Sequence, residues 1–503
     1  MSSDLIYHKN KNINIFLYIA ISFFILSLVS GPFVPDLIVV IVSFFFIFYY
    51  FKNYHGLIII NNFVKILIVF YIYIIFNSFL STEKFLSLKS SIPFIRFIIF
   101  AIAISFLIEN KKFKYLIYYS FLFLYVSLFF DSVIQIYFKK NILGFPLFND
   151  RVSSFFGDEL ILGSFISKTL AILLFLLFNL KLDRKFFHYL CILSISIFLV
   201  IASAERTSLL VLFIVVFFSL FYLKFSQFIS VLIVLLVSIF VSFTGNNNAY
   251  DRLINHTLNQ IVVDGKFNYP SYRHQLHYLS AFEIFKDHKI FGSGLKTFRV
   301  FCSQNPYSLK DKIERDNIVI SKINGIYMKD KDDNWIALIP DKKLKNTLFQ
   351  THIVKLSSNL DNYYSGLRSY GKQNPTYQIN QGNLLKPYVN DYEKIKIGQP
   401  IFSFYEFNNG CNTHPHNFYI QFLSELGIIG LLFLICTYIY IIYISLKKLL
   451  IKLKTNKLSS DFILYINYLA VLFPFIPSGN FFNNYLCLLI FLPLCMFKLC
   501  YIK

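Results

Sequence analysis

The 503-residue sequence has no set of histidine, cysteine, aspartate and glutamate residues at metal-ligand spacing: His352 stands alone, and His414 with His416 lacks carboxylate partners. Neither a metal nor a cofactor is expected. No internal repeat is visible, which weighs against the repeat-built transporters. Acids are scarce, 27 Asp and Glu against 48 Lys and Arg. That imbalance does not point to nucleic acid, because of where it lies. Residues 245–416 account for +7 of the formal charge of +21 and leave +14 for the rest, mostly at the ends of apolar runs, where basic residues set topology and meet anionic lipids. The first apolar segment follows mostly polar residues and lacks a small-residue cleavage pattern, so it reads as a retained span. Five of the seven cysteines fall in apolar runs as small hydrophobes. The other two, Cys302 and Cys411, flank most of a long polar loop, and a disulfide between them is a candidate that spacing alone leaves open.

What is abundant is apolar surface: 56% hydrophobic residues, 62 Phe and a mean hydropathy of +0.58. Runs of about 17–25 residues, each able to cross ~30 Å of hydrocarbon, lie near 13–30, 34–51, 62–80, 92–108, 114–135, 160–179, 187–203, 207–223, 227–244, 418–446, 461–476 and 480–499. The expected fold is all-α: a polytopic membrane protein of about 12 transmembrane helices, with a large external loop between the ninth and tenth. This divides the chain into 1–244 (helices 1–9), 245–417 (the loop, helical at 270–300, with an irregular, β-containing insertion at 303–410) and 418–503 (helices 10–12). With a cytoplasmic N-terminus, seventeen Lys and Arg fall in the cytoplasmic short connections and six in the opposite ones, so both termini are expected inside and the loop outside.

The stretch from Thr413 to Gly430 stands out because it brings His414 and His416 to the start of an apolar run. Pro415 suits a first helical turn, and His416 and Gly427 are eleven positions apart, which returns to one helix face. Asn417, Gln421, Ser424 and Glu425 form a polar stripe beside them. These groups either contact a ligand or bond helix to helix. Elsewhere, Arg96 and Lys168 are charges at membrane depth that face a cavity or snorkel. Arg151 lies in the turn-rich segment 145–159, where Asp158 or Glu159 suits a helix N-terminus; the arginine is a second-tier anion ligand. Arg206 opens an apolar run after a very short turn, paired with Glu205, anchored to headgroups, or holding phosphate in a bidentate fork. In 272–285, Leu276, Leu279, Phe282 and Phe285 fall at helical spacing, with Arg273, His277 and Ser280 on the neighbouring face. The glycines of Phe291-Gly-Ser-Gly-Leu permit a tight turn, and packing of Leu295 and Phe298 against the membrane surface explains them as well as phosphate binding does.

The run His416-Asn417, nine residues, Gly427, two residues, Gly430 resembles the signature of the O-antigen ligase and O-antigen polymerase superfamily of bacterial envelope glycosyltransferases. The resemblance extends to Glu205-Arg206-Thr207 and to Arg273 followed by Ala281, Phe285, Gly292, Gly294 and Phe298, covering most of the chain from about 145 onward. Residues 303–410 are a longer insertion than the family pattern leads one to expect. The resemblance implies a GT-C-like protein of the bacterial inner membrane with a periplasmic site. It implies inverting transfer of a glycan from undecaprenyl diphosphate to lipid A core, or in a polymerase or protein O-oligosaccharyltransferase to another glycan or a protein. Arg206 and Arg273 match the diphosphate-binding positions and His416 the base. Arg151, Lys168, His414, Asn417, Gln421 and His277 are lesser substrate-binding candidates. The rival from another class is a polyprenyl-lipid flippase without chemistry.

Overall fold

A backbone in hydrocarbon can satisfy its N–H and C=O groups only within helices or closed sheets, so long apolar runs become helices. The computed structural model describes residues 11–53, 58–148, 151–244, 247–255, 257–258, 262–263, 266–267, 272–304, 307, 319–320, 326–329, 335–340, 351–355 and 411–502. Its main helices are α1 (Lys11–Ser27), α2 (Phe33–Asn53), α3 (Asn62–Leu80), α4 (Lys84–Ser91), α5 (Ile95–Leu107), α6 (Lys111–Phe138), α7 (Leu162–Asn179), α8 (Lys185–Ala202), α9 (Arg206–Ser219), α10 (Phe225–Thr244), α11 (Tyr272–Asp287), α12 (Phe418–Thr455), α13 (Phe462–Val471) and α14 (Asn484–Leu494). Among the described residues, six helical segments are long and apolar enough to cross a membrane: α3, the continuous Lys84–Leu107, α6, α7, α8 and α12. Shorter apolar helices at Phe16–Ser27, Phe33–Tyr49, Arg206–Tyr222, Phe225–Phe240, Phe462–Val471 and Asn484–Leu494 overlap the other expected runs. The chain is a multi-pass membrane protein.

α7 is the central post: its helical residues are nearly all buried, and it packs on α8, α9, α13 and α14. Connections bond in two sets. One joins Tyr115 to the Lys181 carbonyl (2.7 Å), Asn179 to Ser460 (3.1 Å) and Tyr222 to the Ser459 carbonyl (2.7 Å). The other joins Tyr485 to the Leu28 carbonyl (2.8 Å), Ser81 to the Ser293 carbonyl (2.6 Å), and the Ser478 amide to the His416 carbonyl (2.8 Å). The second set forms the end of the bundle that holds the candidate site. Within the long loop, Val319–Ile320, Ile326–Lys329, Trp335–Pro340 and Thr351–Lys355 form a four-stranded antiparallel sheet in sequence order. The remainder of 303–410, apart from Ser303, Gln304 and Tyr307, lies outside the described residues.

Several sequence expectations change here. Helix α12 starts at Phe418, with Asn417 as its cap, so Pro415 and His416 lie in the preceding loop. Gly427 breaks the helical path at φ 65° and ψ −164°. The shared face of His416 and Gly427 is therefore not realised. The kink serves packing: a Cβ on Gly427 would lie 2.2 Å from the Ile290 carbonyl oxygen, and one on Gly292 2.4 Å from the Leu426 nitrogen. Backbone bonds from Ser293 to Ser424 (3.0 Å), Gly294 to Glu425 (2.9 Å) and Ile428 to Lys289 (2.9 Å) lock the two segments together. Arg96 pairs with Asp36 through Nε (2.7 Å) and Nη2 (3.1 Å).

On helix α11 Leu276, His277, Ser280, Ala281 and Ile284 are buried, whereas Leu279 and Phe282 are exposed. Leu295 and Phe298 are likewise fully buried inside the protein, not laid on its surface.

Candidate active site

A cavity of about 990 Å³ opens between the loops of this second set. Lys168, Thr207, Ser208, Arg299, His414 and His416 stand on its wall, with Asp158 and Glu159 across its rim. It joins α7, α9, the turn after α11 and the segment before α12, elements up to about 250 residues apart in sequence.

His416 adopts φ 57°, in the left-handed region that side chains other than those of glycine seldom enter. Ser154, Ala204 and Lys296, at φ 52°, 52° and 57°, do the same on the other loops of this end. Three imidazoles surround that of His416: ring centroids of His414, His277 and His274 lie 4.1, 5.2 and 5.5 Å away. Among the described residues no His, Cys, Asp and Glu group has metal-holding geometry. The Asn412 Nδ2 lies 3.0 Å from His416 Nε2. Cys302 and Cys411 are joined in a disulfide with Cα atoms 4.9 Å apart, which ties the two ends of the insertion together one residue before Asn412.

His414 is half-buried, with Nδ1 2.9 Å from Thr413 Oγ1 and Nε2 3.3 Å from the Ser478 carbonyl. Burial lowers its pKa to about 4, helped by His277, Arg299 and His274 and opposed by Ser478. It is neutral at ordinary pH.

The second cluster surrounds Glu205. Its carboxylate accepts the Gly163 and Ser164 amides (2.9 and 3.0 Å), which caps α7, and the Ser208 hydroxyl (2.9 Å) in the first turn of α9. This replaces the capping expected from Asp158 or Glu159; Glu205 reaches the exposed amides of α7 from a neighbouring turn, and helix N-termini favour negative charge. Burial raises the Glu205 pKa, against the lowering effects of Ser208, Arg151, Lys168 and Gly163. Arg151 lies 3.8 Å from Glu205 and donates through Nε to the Ser203 carbonyl (2.8 Å). Its pKa falls to about 10, through burial and the neighbouring Arg252, with Glu205 acting in the opposite sense. Arg252 donates to the Ala204 carbonyl (3.3 Å). Arg206 is the first residue of α9, one before Thr207 on the cavity wall. Lys168 donates to Ser164 Oγ and lines the cavity.

Not every sequence candidate reaches the cavity. Asn417 caps α12 through Tyr419 (2.9 Å) and Ile420 (3.2 Å) and donates to the Pro474 carbonyl (2.7 Å). Gln421 bonds Glu425 and Asn480 (both 2.9 Å) and accepts the Phe481 amide (2.9 Å). Both side chains spend their polar atoms on the protein. The backbone of Arg273 lies in α11, while its side chain is outside the described residues. Sequence reading missed Arg299, Arg252, His274 and Asn412. Of these only His274 carried a signal: it stands three residues before His277, on a neighbouring helical position.

Residues 190–321 match the family model described as O-antigen ligase. No curated protein and no solved structure matches the chain. The matched segment holds Arg206, Arg252, Arg273, His277 and Arg299 and ends before His416.

Proposed function

From the match of residues 190–321 to the O-antigen ligase family model, we propose that the chain is a glycosyltransferase of the O-antigen ligase and polymerase superfamily, moving a glycan from undecaprenyl diphosphate to an acceptor hydroxyl. The observation that carries this reading is the meeting of His416 with Lys168, Arg299 and the start of α9 on one cavity. A neutral imidazole can take the proton of an attacking hydroxyl. Departure of a lipid diphosphate builds negative charge, which a forked guanidinium stabilises through paired, charge-assisted hydrogen bonds.

In this mechanism Arg206 and Arg273 hold the diphosphate, and Lys168 and Arg299 add positive charge from the cavity wall. His416 removes the hydroxyl proton as the oxygen attacks the anomeric carbon. The bond from that carbon to the diphosphate breaks, its electron pair leaving with the phosphate. One direct displacement inverts the anomeric configuration. The arginines supply the charge that a metal would otherwise provide. Arg151, fixed by Ser203 and Glu205, supports the α8–α9 turn. The membrane is the bacterial inner membrane, with both termini cytoplasmic and the cavity periplasmic, and the acceptor is lipid A core.

The test is reconstitution with undecaprenyl-diphosphate glycan and, in separate reactions, lipid A core, a second lipid-linked glycan or a periplasmic protein. Glycosylated lipid A core supports the ligase reading. Sugar on a second glycan or on protein replaces it with polymerase or protein transferase. Movement of the lipid across the bilayer with no transfer to any acceptor overturns the enzyme.

A further inference from the structure

His416 Nε2 has a partner whose orientation is fixed by a second bond. The Asn412 amide oxygen accepts the Thr413 backbone N–H at 2.7 Å. An N–H can point only at an acceptor, so this bond identifies Oδ1 and leaves the Asn412 NH₂ as the group 3.0 Å from His416 Nε2. An NH₂ can only donate. Nε2 is therefore the acceptor, and the imidazole is neutral with its proton on Nδ1. An imidazolium would set N–H against N–H.

The backbone on each side of this pair is held as well. Cys411, next to Asn412, is disulfide-bonded to Cys302 at the end of the turn after α11. The His416 carbonyl accepts the Ser478 amide at 2.8 Å. The ring is thus caught between fixed neighbours: His274 and His277 from α11 and His414 from its own segment. Arg299, Lys168, Asp158 and Glu159 line the cavity it opens onto.

We propose that Asn412 is the positioning residue for His416, holding the ring neutral with its Nε2 lone pair presented, until the acceptor hydroxyl takes the place of the amide. This rests on the reading of His416 as base. The hydroxyl proton then passes to Nε2 while the oxygen bonds the anomeric carbon and the diphosphate leaves with its electron pair.

Two substitutions in the full-length protein test the role. Asn412→Asp keeps an oxygen for the Thr413 amide and so preserves the turn, but it faces Nε2 with a carboxylate, which favours the imidazolium. Base function then requires a higher pH. The acid limb of kcat/KM should move up by about one pH unit or more, and with Asn412→Ala the rate should fall about tenfold. A second readout needs no turnover. In protein labelled with ¹⁵N-histidine, the His416 Nε2 resonance, assigned by its loss in His416→Gln, should be that of an unprotonated nitrogen at pH 7 and shift toward the protonated form in Asn412→Asp. An unchanged acid limb and an unchanged resonance in Asn412→Asp would overturn the positioning role, whatever happens to the rate. Transfer at the normal rate by His416→Ala would instead remove the base reading beneath it, so the two failures are distinguishable.

Discussion

The Glu205 carboxylate accepts the Gly163 amide at 2.9 Å, so the residue immediately before Arg206 caps the helix that carries Lys168. One side chain thus fixes the separation of two cavity walls. Glu205→Ala removes the shared acceptor for Gly163, Ser164 and Ser208 and leaves Arg151 without its carboxylate. A loss of about 1–3 kcal/mol in stability is expected, read as a lower thermal midpoint in detergent. An unchanged midpoint would place the support of this turn elsewhere.

Gly427 meets the turn after α11 without room for a side chain. At φ 65° and with the Ile290 carbonyl oxygen where a Cβ would stand, Gly427→Ala must push the Lys289–Gly294 turn off α12. The expected cost is ~1–3 kcal/mol, together with reduced transfer because that turn leads into the short helix Phe298–Phe301 that carries Arg299. Normal thermal stability would show that the kink can relax.

These two contacts show where the sequence was legible. Long apolar runs fixed the helices, because a backbone in lipid has few alternatives. The polar stripe on α12 was visible, but its partners were not. Gln421 looks the same in sequence whether it meets a sugar or Asn480, and only the fold brings Asn480 within 2.9 Å. On α11 the apolar spacing left open which face turns inward, and the fold buries Leu276 together with His277, Ser280 and Ala281. Arg299 and Asn412 gave no spacing signal at all. They reach the site through a disulfide and a turn that join distant segments.

His414 gives a pH prediction separate from catalysis. Its folded pKa, about 4, is below the ordinary histidine value of about 6.5, so the unfolded chain binds the proton more readily. The associated stability is present above pH ~6.5 and is lost as pH falls toward 4. The thermal midpoint should decline over that window, and His414→Gln should flatten the decline. Identical slopes for the two proteins would show that His414 does not contribute.

Arg206→Lys tests the fork rather than the charge. A lysine keeps the positive charge but cannot hold two phosphate oxygens in one plane, and a roughly 100-fold loss of transfer is expected. Activity near the wild-type value would move the diphosphate elsewhere on the cavity.

The central claim is that His416 is the base, and the most direct measurement is glycan transfer by reconstituted His416→Ala from undecaprenyl-diphosphate glycan. The prediction is a loss of roughly 10²–10⁴-fold, with membrane insertion and thermal midpoint close to those of the unaltered protein. Transfer at the unaltered rate would contradict it.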